Sequence, residues 1–327
     1  MSRVWCVVAI VVSFICYTTA SSIKFVVIGD WGRQGGYNQS KVAESMGKYC
    51  QTNGPCDFVA STGDNIYDVG VKDESDKLFT TTFENIYTHP GLEKVRWYMS
   101  LGNHDYNGEP DAQIKYTKHS KRWYMPSNFY SEAFEAHGTG RNRELKSTSK
   151  GLNENETDRN VQVRMKLAFI DTNPLIKLYY LDPRMNTKAL WKFDSKKQKQ
   201  FLEDELSKEN DWKVVIGHHS MYSAGKHGDY SSVKSAYKDL FEKHKVHVSF
   251  AGHDHNYQML KNPNHPTTFV VSGSGSKIEK DRKQHKYLKN MQNVAGFNFV
   301  TVTQDNMTVE MIDLNGRKCH EFVVNKD

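Results

Sequence analysis

Short runs of apolar residues alternate along this chain with stretches in which apolar residues recur at helical spacing. The runs predict buried β-strands, and the stretches predict amphipathic helices. In one such stretch Phe201, Leu202 and Leu206 form one face, and Asp194 is placed to cap the helix. Because strands and helices alternate, the pattern favours a largely parallel α/β core. The predicted strands are residues 23–28, 58–61, 96–101, 165–170, 212–216 and 247–251, and the predicted helices are residues 40–49, 75–87, 194–207 and 232–244.

The final third of the chain has a different pattern. Its strand-like runs are separated by short polar turns, among which Asn315-Gly316 is a strong hairpin signal. We therefore expect the C-terminal end to add a second, more antiparallel sheet. Residues 138–159 contain almost no apolar side chains and predict a mobile surface loop. No internal repeat or linker divides the chain, so we expect one domain over residues 21–327. The strands predicted in this third are residues 268–271, 297–303, 307–313 and 319–324.

The first twenty residues differ from the rest of the chain. A single positive charge at Arg3 precedes an almost wholly apolar run over residues 4–16, and Ala20 ends a stretch of small residues. This order is typical of a secretory signal peptide cleaved after Ala20, with a buried core helix as the alternative. No later run approaches the roughly 20 apolar residues of a membrane span. The sequence therefore predicts a soluble protein that is secreted or held in a lysosomal or vacuolar lumen.

The cysteines agree with an oxidising compartment. Cys50 and Cys56 flank a turn-forming loop that is short enough to bring their sulfurs together, so we expect a disulfide between them. Cys319 then remains as an odd cysteine, either buried and inert or a free thiol. No Cys-x-x-Cys pattern occurs, which excludes a thiolate zinc site. Three N-glycosylation sequons begin at Asn38, Asn155 and Asn306.

Composition and charge narrow the function classes. The 327 residues are 38% hydrophobic and 25% charged, an ordinary globular composition that excludes a disordered or fibrous chain. Lysine and arginine number 44 against 38 acidic residues, so the net charge is only +6. The longest basic stretches, at residues 196–199 and 280–286, are interrupted by acidic or polar residues and predict solvated faces. Because no basic stripe with interleaved aromatic residues occurs, we expect no nucleic-acid partner.

The strongest chemical signal is a recurrence at strand ends. Five predicted strands each end in a glycine followed at once by a potential metal ligand. We expect each glycine to permit a tight turn, and each ligand to project at the carboxyl edge of the sheet, where open α/β sheets place their sites. One Gly-Asp pair is a common turn, but five such pairs favour a shared site. The pairs are Gly29-Asp30, Gly63-Asp64, Gly102-Asn103, Gly217-His218 and Gly252-His253, and His255 follows the last of them.

This set of donors describes two metal ions. Two carboxylates, an amide oxygen and three imidazoles exceed the four ligands of one tetrahedral zinc. Two ions roughly 3.5–4 Å apart could share Asp64 and hold a phosphoryl group from both sides. Tyr67 follows Asp64 by three residues and can turn back toward the same ion. A phenolate is a hard oxygen donor that suits a trivalent ion such as Fe(III) better than Zn or Mg, although a tyrosine in such a turn is by itself more often a packing residue.

With their neighbours, the strand ends form five blocks: Gly29-Asp30-Trp31-Gly32, Gly63-Asp64-Asn65-Ile66-Tyr67, Gly102-Asn103-His104-Asp105, Gly217-His218-His219 and Gly252-His253-Asp254-His255-Asn256. These blocks resemble those of the purple acid phosphatases, in particular their small, single-domain, tartrate-resistant type. Other two-metal phosphoesterases have a histidine at the position of Gly32, and here Tyr67 supplies the replacement ligand. The resemblance covers essentially all of residues 23–324. It implies a two-sheet β-sandwich flanked by helices, the α/β/β/α layers of the metallophosphoesterase fold.

The resemblance also implies an activity. The family hydrolyses phosphate monoesters at acidic pH, so the substrate would be a small-molecule or protein phosphomonoester. The cofactors would be Fe(III) and a second divalent metal: Fe(II), Zn or Mn. Two such ions lower the pKa of a bound water, and the resulting hydroxide attacks phosphorus in line. By resemblance, Fe(III) is held by Asp30, Tyr67, His255 and the bridging Asp64, and the divalent ion is held by Asp64, Asn103, His218 and His253.

Two histidines are candidates for protonating the leaving group. His104, beside Asn103, is the leading candidate, since an unperturbed imidazole, with a pKa of about 6.5, is cationic in an acidic lumen. His227, in the loop after the fourth block, is the second candidate, and either histidine could instead only position the substrate phosphate. We expect His219 to face the rim of the pocket.

Some alternatives stay open at this point. The loop at residues 171–191 occupies the place of the family's inhibitory, protease-sensitive loop but differs from it in sequence, so activation by cleavage is in doubt. The same dimetal core would serve a phosphodiesterase or a pyrophosphatase. A non-catalytic scaffold relative is the alternative from another class. Because all seven ligands are present, we favour the enzyme, and we expect a monomer without a membrane span.

Overall fold

Two mixed β-sheets, packed face to face and flanked by helices, form the framework of the protein. The computed structural model describes residues 21–138, 144–148 and 161–326. The predicted signal peptide, residues 1–20, and the sequon at Asn155 lie outside the described residues. The expected two-sheet sandwich is confirmed.

The first sheet joins the two ends of the described chain. In spatial order it consists of β15 (Lys318–Asn325), β14 (Asn306–Asp313), β13 (Gly296–Val302), β1 (Ile23–Ile28), β2 (Phe58–Ser61), β3 (Arg96–Tyr98) and β4 (Trp123–Tyr124). Strands β1 to β4 run parallel to one another. Strands β13, β14 and β15 continue the sheet as an antiparallel extension beside β1.

The second sheet has a parallel centre and antiparallel flanks. In spatial order it consists of β12 (Leu288–Gln292), β10 (Tyr257–Lys261), β11 (Thr268–Ser272), β9 (Val248–Ala251), β8 (Trp212–Ile216), β7 (Val161–Phe169), β5 (Tyr130–His137) and β6 (Glu144–Thr148). Strands β7, β8, β9 and β11 are parallel. The carboxyl ends of the central strands of both sheets can therefore carry one site.

The helices cover the outer faces of the sheets. Helix α1 (Gln39–Thr52) packs on β13, and α5 (Ser195–Ser207) packs on β7 and on α6 (Ser231–Lys243). The predicted cap of α5 is confirmed, because the Asp194 carboxylate accepts a hydrogen bond from the backbone of Lys197 at 2.9 Å. The stretch predicted as one helix over residues 75–87 is instead a short α-helix that continues as a π-helix. The helices are α1 (Gln39–Thr52), α2 (Lys77–Phe79) with the π-helix Thr80–Glu84, α3 (Pro110–Tyr116), α4 (Thr187–Lys192), α5 (Ser195–Ser207) and α6 (Ser231–Lys243).

The central strands read as continuous apolar runs because both of their faces are buried. On β8, Val214 and Ile216 face the core between the two sheets, whereas Val215 faces the layer of α5 and α6. The same alternation places Phe169 in the inner core and Ala168 in the outer one. This period of two is the expected geometry of a strand covered on both sides.

An aromatic cluster fixes the loop that follows β1. The Trp31 ring lies 5.5 Å from the rings of Tyr87 and Trp97 and 6.4 Å from that of Trp123, measured between centroids. All four rings are almost fully buried. The Trp31 indole also donates a hydrogen bond to the Ser61 hydroxyl at 3.0 Å. Because Trp31 follows Asp30 directly, this packing fixes the backbone at the first predicted ligand.

The prediction that the C-terminal strands form a separate second sheet was wrong. Strands β13 to β15 belong to the first sheet, since β13 pairs with β1 from Ile23↔Val302 to Val27↔Asn298. The run at residues 268–271 instead becomes β11 of the second sheet. Strand patterns specify which face is buried but not which neighbour is paired, so the sequence could not place these strands.

The prediction of a loop over residues 138–159 needs correction as well. Residues 144–148 form the edge strand β6, which pairs with β5; residues 139–143 and 149–159 lie outside the described residues. Strand β5 escaped prediction because it carries two glutamates. Glu135 pairs with Arg164 at 3.1 Å, and the neighbouring Lys166 pairs with Glu205 of α5 at 2.7 Å. Ion pairs of this kind allow charged residues inside a buried layer.

The predicted disulfide is present. Cys50, near the end of α1, is bonded to Cys56, which precedes β2, with their Cα atoms 5.2 Å apart. Both residues are buried. Cys319 on β15 is a free, half-buried thiol. The disulfide therefore fixes the path from α1 into β2, the strand that precedes Asp64.

Replacing both bridged cysteines with alanine is expected to lower the free energy of unfolding by about 2 kcal/mol, the loop-entropy contribution of so short a loop. Urea unfolding monitored by tryptophan fluorescence under non-oxidising conditions measures the change. Cys319→Ala is the matched control and should leave the midpoint nearly unchanged. Equal shifts in the two variants would contradict a stabilising role for the bond.

Candidate metal centre

The predicted ligands meet where the carboxyl ends of both sheets face each other. Asp30 and Asp64 follow β1 and β2 of the first sheet, and His218 and His253 follow β8 and β9 of the second. Asn103 lies in the loop between β3 of the first sheet and the 3₁₀ turn Asp105–Asn107. Side chains from strands far apart in the chain thus come within hydrogen-bonding distance of one another.

One group of donors surrounds the Tyr67 hydroxyl. Its oxygen lies 3.0 Å from Asp30 Oδ1, 2.6 Å from Asp64 Oδ2 and 3.1 Å from His255 Nε2. His255 Nε2 in turn lies 3.4 Å from Asp30 Oδ1. The phenol can donate one hydrogen, yet three polar atoms converge on it.

A second group of donors surrounds His218. Its Nε2 atom lies 3.1 Å from Asn103 Oδ1, 3.2 Å from His253 Nδ1 and 3.6 Å from Asp64 Oδ1. Asp64 therefore faces both groups, with Oδ2 toward Tyr67 and Oδ1 toward His218. A carboxylate with one oxygen in each of two donor groups has the geometry of a bridging ligand.

The spacing of these atoms fits two cations. Donors that each lie about 2.0–2.2 Å from one ion are about 3 Å from each other at neighbouring coordination positions. The separations within each group match that value. Asp30 and Asp64 are both almost fully buried, and among the described residues no lysine or arginine forms an ion pair with either of them. A cation would supply the missing positive charge.

The pKa values of Tyr67 and His253 in the protein alone also favour a bound cation. Burial raises the pKa of Tyr67 well above its ordinary value, and the Asp30 and Asp64 carboxylates raise it further. Burial and the neighbouring imidazoles lower the pKa of His253 well below its ordinary value. His253 is therefore neutral, which is the form that binds metals. A bound cation would reverse the effect on the phenol by stabilising its phenolate.

The glycines before the predicted ligands were expected to permit tight turns, but most of them do not have the left-handed backbone that such turns require. Of these glycines only Gly63 has a left-handed backbone, with φ +98°. Three of the predicted ligands themselves do: Asp30 at 60°, Asp64 at 52° and His253 at 71°. Such values are strained for residues with a Cβ and are concentrated at functional sites. A Cβ on Gly102 would lie 2.2 Å from Asp64 Oδ1. At this position glycine is needed because the ligand approaches its backbone closely.

Two of the predicted histidine ligands have outer partners that fix their rings. His218 Nδ1 lies 2.9 Å from the Thr62 carbonyl, to which it donates a hydrogen bond. His253 Nε2 lies 2.6 Å from the Tyr230 hydroxyl. These contacts leave His218 Nε2 and His253 Nδ1 as the nitrogens that point at the other donors of the second group. Outer hydrogen bonds of this kind are typical of metal-binding histidines.

Two buried aspartates that the sequence analysis did not single out hold the site loops together. The Asp105 carboxylate accepts hydrogen bonds from the backbone of Gly102 at 2.8 Å and of Ile66 at 3.1 Å. Burial, together with the Asp64 charge, raises the pKa of Asp105 to about 7. Asp254 accepts from the backbone of His227 at 2.9 Å. The only sequence signal was their place directly after a histidine in two of the blocks.

The two candidate acids contact different donors. His104 is half-buried, with its ring centroid 4.3 Å from that of Tyr67, and its backbone donates to Asp64 Oδ1 at 2.8 Å. His227 is exposed, and its ring centroid lies 4.1 Å from that of His253. Both histidines therefore border the donor groups.

The expectation that His219 faces the pocket rim was wrong. His219 is only 2% exposed, and its two ring nitrogens lie 2.8 Å from the Thr172 hydroxyl and 2.7 Å from the Tyr179 hydroxyl. Burial and the neighbouring His218 lower the pKa of His219 well below its ordinary value. Its ring packs 4.6 Å from that of His253, so it supports a ligand from behind.

Comparisons with known proteins identify the family. The family model for calcineurin-like phosphoesterases matches residues 23–257. Purple acid phosphatase 4 of Arabidopsis thaliana is 34% identical over 318 residues, covering 93% of this chain and 84% of the relative. Tartrate-resistant acid phosphatase type 5 of Sus scrofa is 29% identical, covering 90% of this chain and 84% of the relative.

Two solved structures share the fold. One is GAP50, described as the anchor in the inner membrane complex of Plasmodium, with a TM-score of 0.76, 20% identity and coverage of 94% of this chain and 90% of that one. The other is the purple acid phosphatase PPD1 of Lupinus luteus, with a TM-score of 0.64, 14% identity and coverage of 94% and 55%. From its domain and its relatives, the chain belongs to the purple acid phosphatase family, the acid phosphatases that carry a calcineurin-like phosphoesterase domain.

Proposed function

We propose that this protein hydrolyses phosphate monoesters at a dimetal centre built from the two donor groups. The observation that carries the proposal is the position of Asp64, which presents one carboxylate oxygen to each group. Fe(III) would be held by Asp30, Asp64, Tyr67 and His255, and a divalent ion (Fe(II), Zn or Mn) by Asp64, Asn103, His218 and His253.

The assignment of Fe(III) rests on Tyr67. Its hydroxyl is buried and lies within 3.0 Å of an oxygen of both Asp30 and Asp64. Three oxygen donors, of which two are carboxylates and one a phenolate, form a hard and highly anionic set that favours a trivalent ion. The second group contains two imidazoles and an amide, which suit a divalent ion.

When bound, the two ions would lower the pKa of a bound water and neutralise charge on the phosphoryl group. The protein's own residues then have to supply the proton for the leaving oxygen. His104 is the first candidate. Its Nδ1 atom lies 2.8 Å from the Asp68 carbonyl, which can only accept, so Nδ1 carries a hydrogen. The second nitrogen, Nε2, is the atom available to donate a proton to the leaving group.

His227 is the second candidate. It lies beside His253. One of its ring nitrogens lies within 4.8 Å of a carboxylate oxygen of Asp254 and of one of Glu279. Partial desolvation lowers the pKa of His227 below its ordinary value, and those carboxylates only partly oppose this effect. A neutral His227 would bind the substrate phosphate by donating a hydrogen bond. His104 would then be the general acid, and His227 a positioning residue.

The alternatives differ in what they require of the site. A non-catalytic scaffold has no need for a complete donor set, whereas all seven donors are present here and in mutual contact. Phosphodiester or pyrophosphate hydrolysis would use the same donors, and comparison of monoester and diester rates on the purified protein separates these reactions.

Compartment and assembly are part of the proposal. Residues 1–20 would be removed as a signal peptide, and residues 21–327 would act as a single catalytic domain, secreted or held in a lysosomal or vacuolar lumen, as a monomer. Across residues 21–138, 144–148 and 161–326, none of the helices combines the length and the hydrophobicity of a transmembrane segment.

Replacing Gly102 with alanine should disable the site. The added Cβ would lie 2.2 Å from Asp64 Oδ1 and 2.3 Å from the Asp64 backbone nitrogen, so the bridging carboxylate and its loop must move. A displacement of about 1 Å predicts a loss of activity of about 100-fold, together with lower metal content. Gly217→Ala is the matched control, since its nearest contact would be 3.1 Å. Equal losses in both variants would contradict the assigned role of Asp64.

Replacing Tyr67 with phenylalanine should abolish the broad visible absorption expected of a tyrosinate–iron centre and lower the iron content. The visible spectrum and elemental analysis of the purified protein measure both. Tyr230→Phe is the control, because Tyr230 contacts His253 of the second group and not the donors assigned to iron. A colourless native protein that contains only zinc would overturn the iron assignment while leaving a generic metallophosphoesterase.

Replacing His104 with alanine should slow substrates with poor leaving groups most. Loss of a general acid predicts a decrease in kcat of about 100-fold for an alkyl phosphate. A smaller decrease is expected for 4-nitrophenyl phosphate, whose leaving group needs little protonation. His119→Ala, at an exposed position away from the ligands, is the control. Equal decreases for both substrates would argue against the acid role of His104.

A further inference from the structure

A basic segment lies beside the donor groups and has no part in the function described so far. Residues 277–289 contain six lysines or arginines and two acidic residues, a net charge of +4 in a chain whose total is +6. The sequence predicts part of this segment to be an ordinary solvated face. Its position in the fold gives it a different meaning.

The segment is attached to the site at two points. The backbone N–H of Glu279 donates to the carbonyl of His255 at 3.0 Å, so the segment passes directly over one of the proposed iron ligands. Further along, the backbone of Lys283 donates to the Ala224 carbonyl at 2.7 Å, and its ammonium donates to the Lys226 carbonyl at 2.6 Å. Lys226 immediately precedes His227, so the segment also borders the second candidate acid.

The beginning of the segment reaches the Tyr67 side of the site. The Lys277 ammonium lies 5.9 Å from the centroid of the Tyr37 ring. The Arg33 guanidinium lies 5.2 Å from that ring and 3.5 Å from the Tyr67 ring. Arg33 and Lys277 on the Tyr67 side, and Lys283 beside the loop of His227, thus place positive charge at two points of this rim.

Most of these charges are not neutralised by the protein. Glu279, an acidic residue of the segment, pairs at 3.1 Å with Lys226, which lies outside the segment. Within the described part of the chain, no carboxylate forms an ion pair with a lysine or arginine of the segment. All six except Lys277 are exposed, and Lys277 is half-buried. The six cations are Lys277, Lys280, Arg282, Lys283, Lys286 and Lys289.

We infer that the basic segment binds a second anionic group of the substrate while the phosphoryl group occupies the donor site. The preferred substrates would then be small phosphomonoesters that carry a further phosphate or carboxylate. The inference rests on the proposed function of the donor site and adds the class of its substrate. A cluster of uncompensated cations at one rim raises the local concentration of such anions and holds them in one orientation.

The expected size of the preference follows from the exposure of the cations. A single exposed ion pair changes an equilibrium by no more than about fivefold. A few such contacts predict a preference on the order of tenfold in kcat/KM, mainly through KM. The preference should shrink between about 10 mM and about 150 mM salt, because screening shortens the reach of exposed charges.

Two matched substrate pairs test the inference. Fructose 1,6-bisphosphate is compared with fructose 6-phosphate, and 3-phosphoglycerate with glycerol 3-phosphate, so that the second anion is a phosphate in one pair and a carboxylate in the other. The test variant combines Lys277→Gln, Lys280→Gln and Arg282→Gln. The control variant combines Lys196→Gln, Lys197→Gln and Lys199→Gln, which removes the same charge from exposed positions of α5.

The segment variant should lose about tenfold in kcat/KM for the substrates with a second anion and less than about twofold for their partners, whereas the control variant should retain the preference. A preference in only one pair identifies whether phosphate or carboxylate is bound. If the native protein shows no preference, or if both variants lose it equally, the inference is overturned while hydrolysis of 4-nitrophenyl phosphate still supports the proposed function. If no phosphomonoester is hydrolysed, the proposed function fails and this inference fails with it.

Discussion

The burial of two carboxylates where the sheets meet is the constraint on which the rest of the site depends. Asp30 and Asp64 are almost fully removed from water, and no lysine or arginine of the described chain pairs with them. A buried charge without a partner is too costly to persist unless something supplies opposite charge. Of the surrounding groups, the phenol and the amide carry no positive charge, and burial holds His253 neutral. His255 and His218 lie 3.4 Å and 3.6 Å from the carboxylates of Asp30 and Asp64 and can balance them only when protonated. As neutral ligands they would leave that balance to bound cations.

The loops that carry these side chains have no regular secondary structure, and other contacts hold them in place. Asp30, Asp64 and His253 adopt left-handed backbones that a free loop would avoid. Packing of aromatic rings behind Asp30, and backbone hydrogen bonds to the buried carboxylates of Asp105 and Asp254, resist relaxation. The strain therefore resides in the proposed ligands, and a neighbouring glycine such as Gly102 makes room for their atoms.

The sequence predicted what depends on local pattern. Most central strands, the cap at Asp194, the Cys50–Cys56 bond and the convergence of strand ends all follow from residue spacing. It did not predict the partner of β13, because pairing between distant strands leaves no local mark. It also missed β5, where buried ion pairs interrupt the apolar pattern, and the burial of His219, which depends on hydroxyl groups from another loop. The tertiary contacts that support the ligands are the part that spacing cannot show.

The donor groups and the basic segment come from different kinds of structure, the first from the ends of buried strands and the second from a surface connection. The donors follow strands whose positions are fixed by two buried cores, so their geometry leaves little freedom. The basic segment connects β11 to β12 near the end of the second sheet and contacts the site mainly through backbone atoms of His255 and Ala224. Its side chains can therefore vary without moving a ligand. Where a catalytic core is so constrained, charge on such a connection is the part of the chain that can adapt substrate choice.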